Sequence, residues 1–201
     1  MLRPDLAAIA EMIPAGARVL DVGCGDGELL EHLNTTKNVD GRGLELSQQN
    51  VNAAVARGLS VIQGDADTDL AEYPSQVFDV AILSQTIQAT RNPKSVLGQL
   101  LRIGRRAAVS LPNFGHWRVR LALLGMGRMP RTETLAYEWY DTPNIHLCTI
   151  ADFTGLAAAC GAHIERALAL NRQGGTRPMQ PHSWMPNLMA EGAIFLLRPG
   201  G

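Results

Sequence analysis

The sequence predicts an α/β protein in which helices cover both faces of a mostly parallel sheet. Strand-like apolar runs alternate with helical patterns between Arg18 and Pro112, and a glycine-rich corner joins the first strand to the helix that follows it. Such alternation requires crossover connections, which place helices on the faces of a parallel sheet. We expect one domain over residues 1–201, with seven strands, an antiparallel edge strand and an insertion after the fifth strand.

The first half of the chain supplies five of these strands. The expected strands are "ARVLDV", "GRGLELS", "SVIQ", "FDVAILS" and "RRAAVSLP". The expected helices between them are "GELLEHL", "QQNVNAAVARG" and "NPKSVLGQLLRIG". Ser47 and Asn92 stand where helix caps are preferred, and Pro112 ends the fifth strand. The strand "FDVAILS" is apolar enough to lie in a sheet covered on both faces.

The second half of the chain departs from this rhythm. Residues 112–149, which we call the lid segment, are rich in Pro, Gly, Trp and Tyr and contain one helical pattern, "HWRVRLALLG". A helix, "IADFTGLAAACG", then precedes two strands, "AHIERALAL" and "GAIFLLR", which we expect to pair antiparallel. The polar, proline-rich run "NRQGGTRPMQPHSWMPN" is expected to be the loop between these strands.

Composition limits the class of protein. With 46% hydrophobic and 18% charged residues the chain is expected to be globular, and its net charge of −1 argues against a nucleic-acid-binding role. No apolar run approaches the roughly 20 residues of a membrane span. The three cysteines are scattered and form no CxxC pair, so we expect neither disulfides nor a metal site. A cytoplasmic location is the expectation.

Glycines 23, 25 and 27 occupy the corner between the first strand and its helix, where a ligand can approach the backbone closely. The spacing differs from the dinucleotide fingerprint GxGxxG, because position 28 is Glu. Instead, "DVGCGDG" resembles the (D/E)xGxGxG signature of class I methyltransferases, which bind S-adenosylmethionine (SAM). That resemblance implies a Rossmann-like fold with SAM, or its product S-adenosylhomocysteine, as ligand.

Three acidic residues follow the strands at the positions that such a ligand requires. We expect Asp21 near the cationic amino-acid end of SAM, Glu45 on the ribose hydroxyls and Asp65 on the adenine amino group. Glu45 follows Gly23 by 45 − 23 = 22 residues, close to the spacing of about 20 known from such folds. The candidate ligand-binding residues are Asp21, Gly23, Cys24, Gly25, Gly27, Glu45, Leu46, Asp65, Ala66 and Ser84. The alternative is that each acid only caps a helix or a turn.

The lid segment holds the candidates for acid–base chemistry, His116, Tyr140 and His146. The alternative is that these side chains only hold a loop in place by hydrogen bonds. After the fourth strand the chain reads "LSQTIQ" rather than the (N/D)PP(Y/F) of amino-group methyltransferases acting on DNA or glutamine, which argues against those substrates.

Further blocks carry a more specific resemblance. The stretches "LDVGCGDGELL", "VIQGDAD", "FDVAILSQTIQATRNP", "LRIGRRAAVSLPNFGHWRVRL" and "YEWYDTPNIHLCTIADF" together resemble the methionine biosynthesis family MetW. This resemblance implies a class I methyltransferase fold and a companion role to a MetX-type homoserine O-acyltransferase. It also suggests that SAM, which is made from methionine, could report end-product supply.

Two functions of different classes are therefore expected. In the first, the chain is a SAM-binding accessory partner of the acyltransferase, with a contact surface that includes "HWRVRL" and "WYDTPNIH". In the second, it is a SAM-dependent methyltransferase for a small metabolite or a protein side chain. A third alternative is an α/β domain with a vestigial pocket, which would bind no SAM.

Overall fold

The computed structural model describes residues 2–129, 131 and 137–200. Part of the lid segment, residues 130 and 132–136, lies outside this range. The strands are β1 (Arg18–Val22), β2 (Asp40–Glu45), β3 (Ser60–Gln63), β4 (Phe78–Ser84), β5 (Gly104–Pro112), β6 (Ala162–Leu170), β7 (Thr176–Pro178) and β8 (Gly192–Pro199). The α-helices are α1 (Pro4–Met12), α2 (Glu28–Lys37), α3 (Gln48–Ala56), α4 (Pro93–Ile103), α5 (Trp117–Met126), α6 (Ile150–Ala159) and α7 (Trp184–Met189). Short 3₁₀ turns span Asp69–Glu72 and Ile87–Ala89.

The strands form one sheet in the order β3-β2-β1-β4-β5-β8-β6-β7. Strands β1 to β5 are parallel, β8 runs antiparallel to both β5 and β6, and β7 adds an antiparallel edge. The predicted α/β class and the predicted antiparallel pairing of the two late strands are confirmed. The carboxyl ends of β1 to β4 meet at one edge of the sheet, which is where such folds bind ligands.

Two elements lie in the stretch that the sequence predicted to be a loop. The described residues form eight strands rather than seven, because the three residues of β7 pair with β6, and α7 follows them. A three-residue strand ending in proline is too short to show an alternating pattern, so sequence periodicity could not reveal it. Helix α1, at the other end of the chain, was also not among the expected elements.

The core lies on both faces of the sheet. On one face Leu20 and Val22 pack with residues of α4 and α6, and the rings of Phe153 and Phe195 lie 4.7 Å apart. On the other face Val19, Val80 and Ile82 pack against α1 and α2. Since β4 contributes buried side chains to both faces, its continuous apolar sequence follows from its central position.

The two expected helix caps have different outcomes. Asn92 caps α4, because its side chain accepts a hydrogen bond from the Ser95 amide at 3.2 Å. Ser47 occupies the cap position of α3, but its side chain forms no cap bond. The Ser47 amide instead donates to the Glu45 carboxylate at 2.9 Å, so Glu45 holds the first residues of α3 in place. None of the described helices has the length and apolar character needed to cross a membrane.

Candidate functional site

The glycine turn between β1 and α2 adopts a backbone conformation that only glycine takes up readily. Gly23, Gly25 and Gly27 all adopt positive φ, at 71°, 57° and 85°, where other residues are disfavoured. Gly23 is also restricted by space, because a Cβ atom there would lie 2.6 Å from Thr86 Oγ1. The turn therefore requires glycine at Gly23 for both conformation and packing.

Glu45, the last residue of β2, fixes the geometry of this turn. Its side chain is buried, and its carboxylate accepts hydrogen bonds at 2.9 Å from the amides of Gly25 and Ser47. Asn50 Nδ2 lies 3.4 Å from the same carboxylate. Because each carboxylate oxygen has two lone pairs, Glu45 retains capacity to accept from ligand hydroxyls.

A cavity of about 420 Å³, which we call the turn cavity, lies beside Glu45 at the carboxyl ends of the strands. Its volume falls within the ~300–1,000 Å³ typical of small-molecule sites. It is lined by Val22, Gly23, Leu44, Glu45, Leu46, Gly64, Asp65, Ala66, Asp67, Thr86, Ala89, Thr90, Arg91 and Ile145. Five candidate residues are in this lining: Gly23, Glu45, Leu46, Asp65 and Ala66. The other five, Asp21, Cys24, Gly25, Gly27 and Ser84, lie outside it.

Asp65 stands in a hydrogen-bonded loop at the far end of the cavity. Its Oδ1 accepts from the Asp67 amide at 2.9 Å, and its Oδ2 lies 3.5 Å from Arg91 Nη2. The Asp69 carboxylate accepts from the Asp65 amide at 2.9 Å, and hydrogen bonds from Thr68 and from this amide lower the pKa of Asp69. The side chain of Asp65 remains one quarter exposed, so a ligand can reach it.

Sequence reasoning missed the wall of the turn cavity that follows β4. Thr86, Ala89, Thr90 and Arg91 come from this segment. Asp67 connects it to the loop after β3 by accepting from the amides of Arg91 and Asn92, both at 2.8 Å. No local motif marks these residues, although they lie within the block "FDVAILSQTIQATRNP", one of those that carry the family resemblance.

Asp21 is the penultimate residue of β1, and it is 1% exposed. Among the described residues its Oδ1 has no hydrogen-bond partner. Burial raises the pKa of Asp21 to about 7; the nearby Arg3 opposes this rise in pKa and the charge of Glu45 adds to it. Asp21 is therefore a buried carboxyl group that can change its charge near neutral pH.

Cys24 belongs to the core beneath the glycine turn. It is buried with Leu30 and Val51, and a Cβ atom on Gly43 would lie 2.7 Å from its Sγ. Burial raises the pKa of the Cys24 thiol well above its ordinary range, so the thiol stays protonated and unreactive. Within the described residues no group of three or more His, Cys, Asp or Glu could hold a metal ion.

The three acid–base candidates of the lid segment contact different elements. His116 is buried and caps α5, with Nδ1 accepting from the Arg118 amide at 3.4 Å. Burial lowers the pKa of His116, Glu191 opposes this effect, and Arg118 lowers the pKa further. Tyr140 is 72% exposed and stacks edge-on against Trp139. None of His116, Tyr140 and His146 lines the turn cavity.

His146 contributes to a contact that places the lid segment over the turn cavity. Its Nε2 lies 3.4 Å from the Arg91 carbonyl oxygen. The amides of Ile145 and His146 both donate to the Gln88 carbonyl at 2.9 Å. Ile145 lines the turn cavity and also a second cavity of about 320 Å³, the lid cavity. The other residues of the lid cavity are Phe114, Met129, Arg131, Tyr137, Glu138, Trp139, Thr142, Asn144 and Leu147.

Comparison with known protein sequences identifies relatives of this chain. Residues 3–197 match the family described as "Methionine biosynthesis protein MetW". A bifunctional methionine biosynthesis protein MetXA/MetW from Rhodopirellula baltica is 34% identical over 203 residues, which cover 96% of this chain and 32% of that protein. The chain thus spans about a third of that relative's length. A 27-O-demethylrifamycin SV methyltransferase from Amycolatopsis mediterranei is 30% identical over 105 residues, covering 48% of this chain and 39% of that protein.

Solved structures share the fold. A SAM-dependent methyltransferase from Thermotoga maritima superposes with a TM-score of 0.71 at 16% identity, covering 97% of this chain and 87% of that one. A SAM-dependent methyltransferase from Mesorhizobium loti gives a TM-score of 0.70 at 17% identity and covers 97% of both chains. At these identities the likeness establishes the Rossmann-like class I methyltransferase fold and nothing finer.

Proposed function

This chain belongs to the MetW family of methionine biosynthesis proteins, and we propose that it is a SAM-binding accessory subunit of a MetX-type homoserine O-acyltransferase. The proposed partner rests on the bifunctional relative, whose name joins MetXA and MetW in one polypeptide. Two activities fused in one species are commonly separate, associating chains in another. The turn cavity supports the proposed binding of SAM.

The residues of the turn cavity fit SAM. Glu45 is buried and held by backbone amides, which positions its carboxylate for two ribose hydroxyls. Asp65, on the loop after β3, would accept from the adenine amino group. Gly23 presents only backbone to the cavity, and Thr86, which also lines it, packs where a side chain on Gly23 would have to lie.

Glu45→Gln is expected to weaken SAM binding about tenfold or more. The NH₂ group of glutamine donates where a carboxylate oxygen accepts, so it faces the amide of Gly25 or of Ser47, loses that contact and disturbs the turn that holds the ribose. Isothermal titration of SAM into the purified protein measures the effect. Glu72→Gln, an exposed carboxylate outside the turn cavity, is the matched control. Equal SAM affinity of Glu45→Gln and the wild type would contradict this assignment.

SAM can regulate the partner only if it binds the free and the assembled forms of this protein with different affinity. Such coupling is reciprocal, because a ligand that strengthens assembly is itself bound more tightly by the complex. SAM is made from methionine, so this linkage would connect the end product to the acylation of homoserine early in the pathway.

The cognate acyltransferase should be assayed with and without this protein, each with and without SAM. We expect its rate or its thermal stability to depend on the protein, and we expect SAM to change that dependence. A SAM effect that requires the protein would support end-product control. Identical rates and melting temperatures in all four mixtures would overturn the accessory role.

Methyl transfer is the second candidate function, and the lid cavity is the observation that favours it. Ile145 separates this cavity from the turn cavity, so an acceptor and a methyl donor would lie on either side of one residue. Arg131 and Glu138 in its lining form an ion pair at 2.9 Å, so this cavity holds both signs of charge. Formation of S-adenosylhomocysteine in the presence of candidate acceptors, measured over time, would distinguish this function from the accessory role.

A further inference from the structure

A cluster of polar side chains lies on the face of the sheet that α1 covers, beside the glycine turn. Strand alternation puts Asp21, Ser84 and Ser110 on the same face as Val19, Ile82 and Ala108, which pack with α1. Ser84 pairs with Ser110, and Leu83 before it pairs with Val22. The cluster therefore adjoins the wall of the turn cavity formed by Val22 and Gly23.

The segment at the start of α1 adds a cation to this cluster. Arg3 Nε and Nη2 donate to the Asp5 carboxylate at 2.6 and 3.1 Å. Asp5, which is 1% exposed, accepts from Ser110 Oγ at 2.8 Å, and Ser110 Oγ accepts from the Gln85 amide at 3.1 Å. Arg3 is thus held against the carboxyl end of the sheet by a chain of hydrogen bonds.

The hydrogen bonds of Arg3 leave part of its guanidinium available. Asp5 occupies the edge made by Nε and Nη2, and the guanidinium has five N–H donors in all. The side chain is 45% exposed, so a ligand can reach it. Its charge acts on Asp21, where it opposes the rise in pKa that burial causes.

The amino-acid end of SAM has complementary chemistry. It carries an ammonium group and a carboxylate. The cluster holds a group for each: the Asp21 carboxyl, whose Oδ1 has no partner among the described residues, and the guanidinium of Arg3. Building on the proposed SAM site, we infer that Arg3 binds the α-carboxylate of the ligand. Without Arg3, the acidic groups Asp5, Asp21 and Glu45 would favour a ligand that lacks this carboxylate.

Decarboxylated SAM, which keeps the sulfonium and the amine, tests this inference directly. We expect the wild type to bind SAM about tenfold to a hundredfold more tightly than decarboxylated SAM, as a charge-assisted hydrogen bond to carboxylate predicts. In Arg3→Gln the preference for SAM should disappear or reverse, because the remaining acidic groups repel the carboxylate of SAM. Arg3→Lys should restore part of the preference, because it keeps the charge and loses the planar fork.

Arg42→Gln is the matched control, since Arg42 is an exposed, ion-paired arginine on β2. It should leave the ratio unchanged. The ratio is measured within one protein, so a general loss of stability in Arg3→Gln does not alter it. Equal affinity of the wild type for both ligands, or an unchanged preference in Arg3→Gln, would overturn the role of Arg3 and leave the SAM site intact. Failure of the wild type to bind either ligand would overturn the SAM site itself.

Discussion

Replacing Asp21 by asparagine should stabilise the ligand-free protein above pH 7 and weaken its binding of SAM. The carboxyl group is 1% exposed, and its Oδ1 has no partner among the described residues. Ionising such a group without a compensating contact costs folding free energy. Asparagine is similar in size and carries no charge, so the substitution removes this cost.

The sign of the pH dependence follows from the direction of the shift. The pKa of Asp21 is raised from its ordinary value of 3.8 to about 7 in the folded protein, chiefly by burial. Below pH 4 both states hold the proton and Asp21 costs nothing. Between pH 4 and 7 the unfolded state releases the proton first, so stability falls as pH rises and levels off above pH 7. The full difference corresponds to about 4 kcal/mol.

Chemical denaturation of the wild type and Asp21→Asn at pH 5 and pH 8 measures this effect. We expect a gain of about 2–4 kcal/mol at pH 8 and a much smaller gain at pH 5. SAM affinity at pH 8 should fall about tenfold to a hundredfold, because the ligand's ammonium loses its anionic partner. Asp26→Asn, an exposed residue of the same glycine turn, is the control. A destabilised Asp21→Asn at pH 8 would show that the carboxylate has a stabilising partner.

The parts of the site that the sequence predicted are those with local signals. Glycines at alternate positions, an acid after β2 and an asparagine before Pro93 depend on residues within a few positions of one another. The positive φ of the three glycines and the cap at Asn92 confirm this local reasoning. The roles of Glu45 and Asp65 toward a ligand remain predictions, although both side chains line the turn cavity.

The features of the site that sequence reasoning missed depend on contacts between residues far apart in the chain. The bond between Ser110 and Asp5 spans 105 positions, and no pattern near either residue indicates it. Asp67 binds the amides of Arg91 and Asn92 across 24 and 25 positions, and that contact builds the missed cavity wall. His116 illustrates the reverse case, because a polar residue in a candidate lid proves to be a buried helix cap.

Leu124→Glu should strongly weaken docking of the acyltransferase without disturbing SAM binding. Among the described residues of α5 only Val119 is buried. Four apolar side chains form what we call the α5 surface: Leu121, Leu123, Leu124 and Met126, which are 57%, 42%, 85% and 66% exposed. An apolar patch of this kind on a helix marks an interaction site. The occupant that our proposal requires is a MetX-type acyltransferase, the activity that the name of the bifunctional relative joins to MetW.

Leu124 is the most exposed of the four and lies on the same side of α5 as Leu121, three positions before it, so a glutamate there would be buried by the partner without a compensating charge. We expect the dissociation constant for the cognate acyltransferase to rise by about a hundredfold or more, as for a central interface residue. Val55→Glu, at an exposed apolar position on α3, is the control and should bind as the wild type does. Because Leu124 is fully separate from the turn cavity, titration of SAM into Leu124→Glu reports whether the ligand site survives. Unchanged partner affinity with SAM binding intact would place the docking site elsewhere on the molecule. Loss of docking with SAM binding intact would mean that any SAM effect on the acyltransferase requires docking at α5.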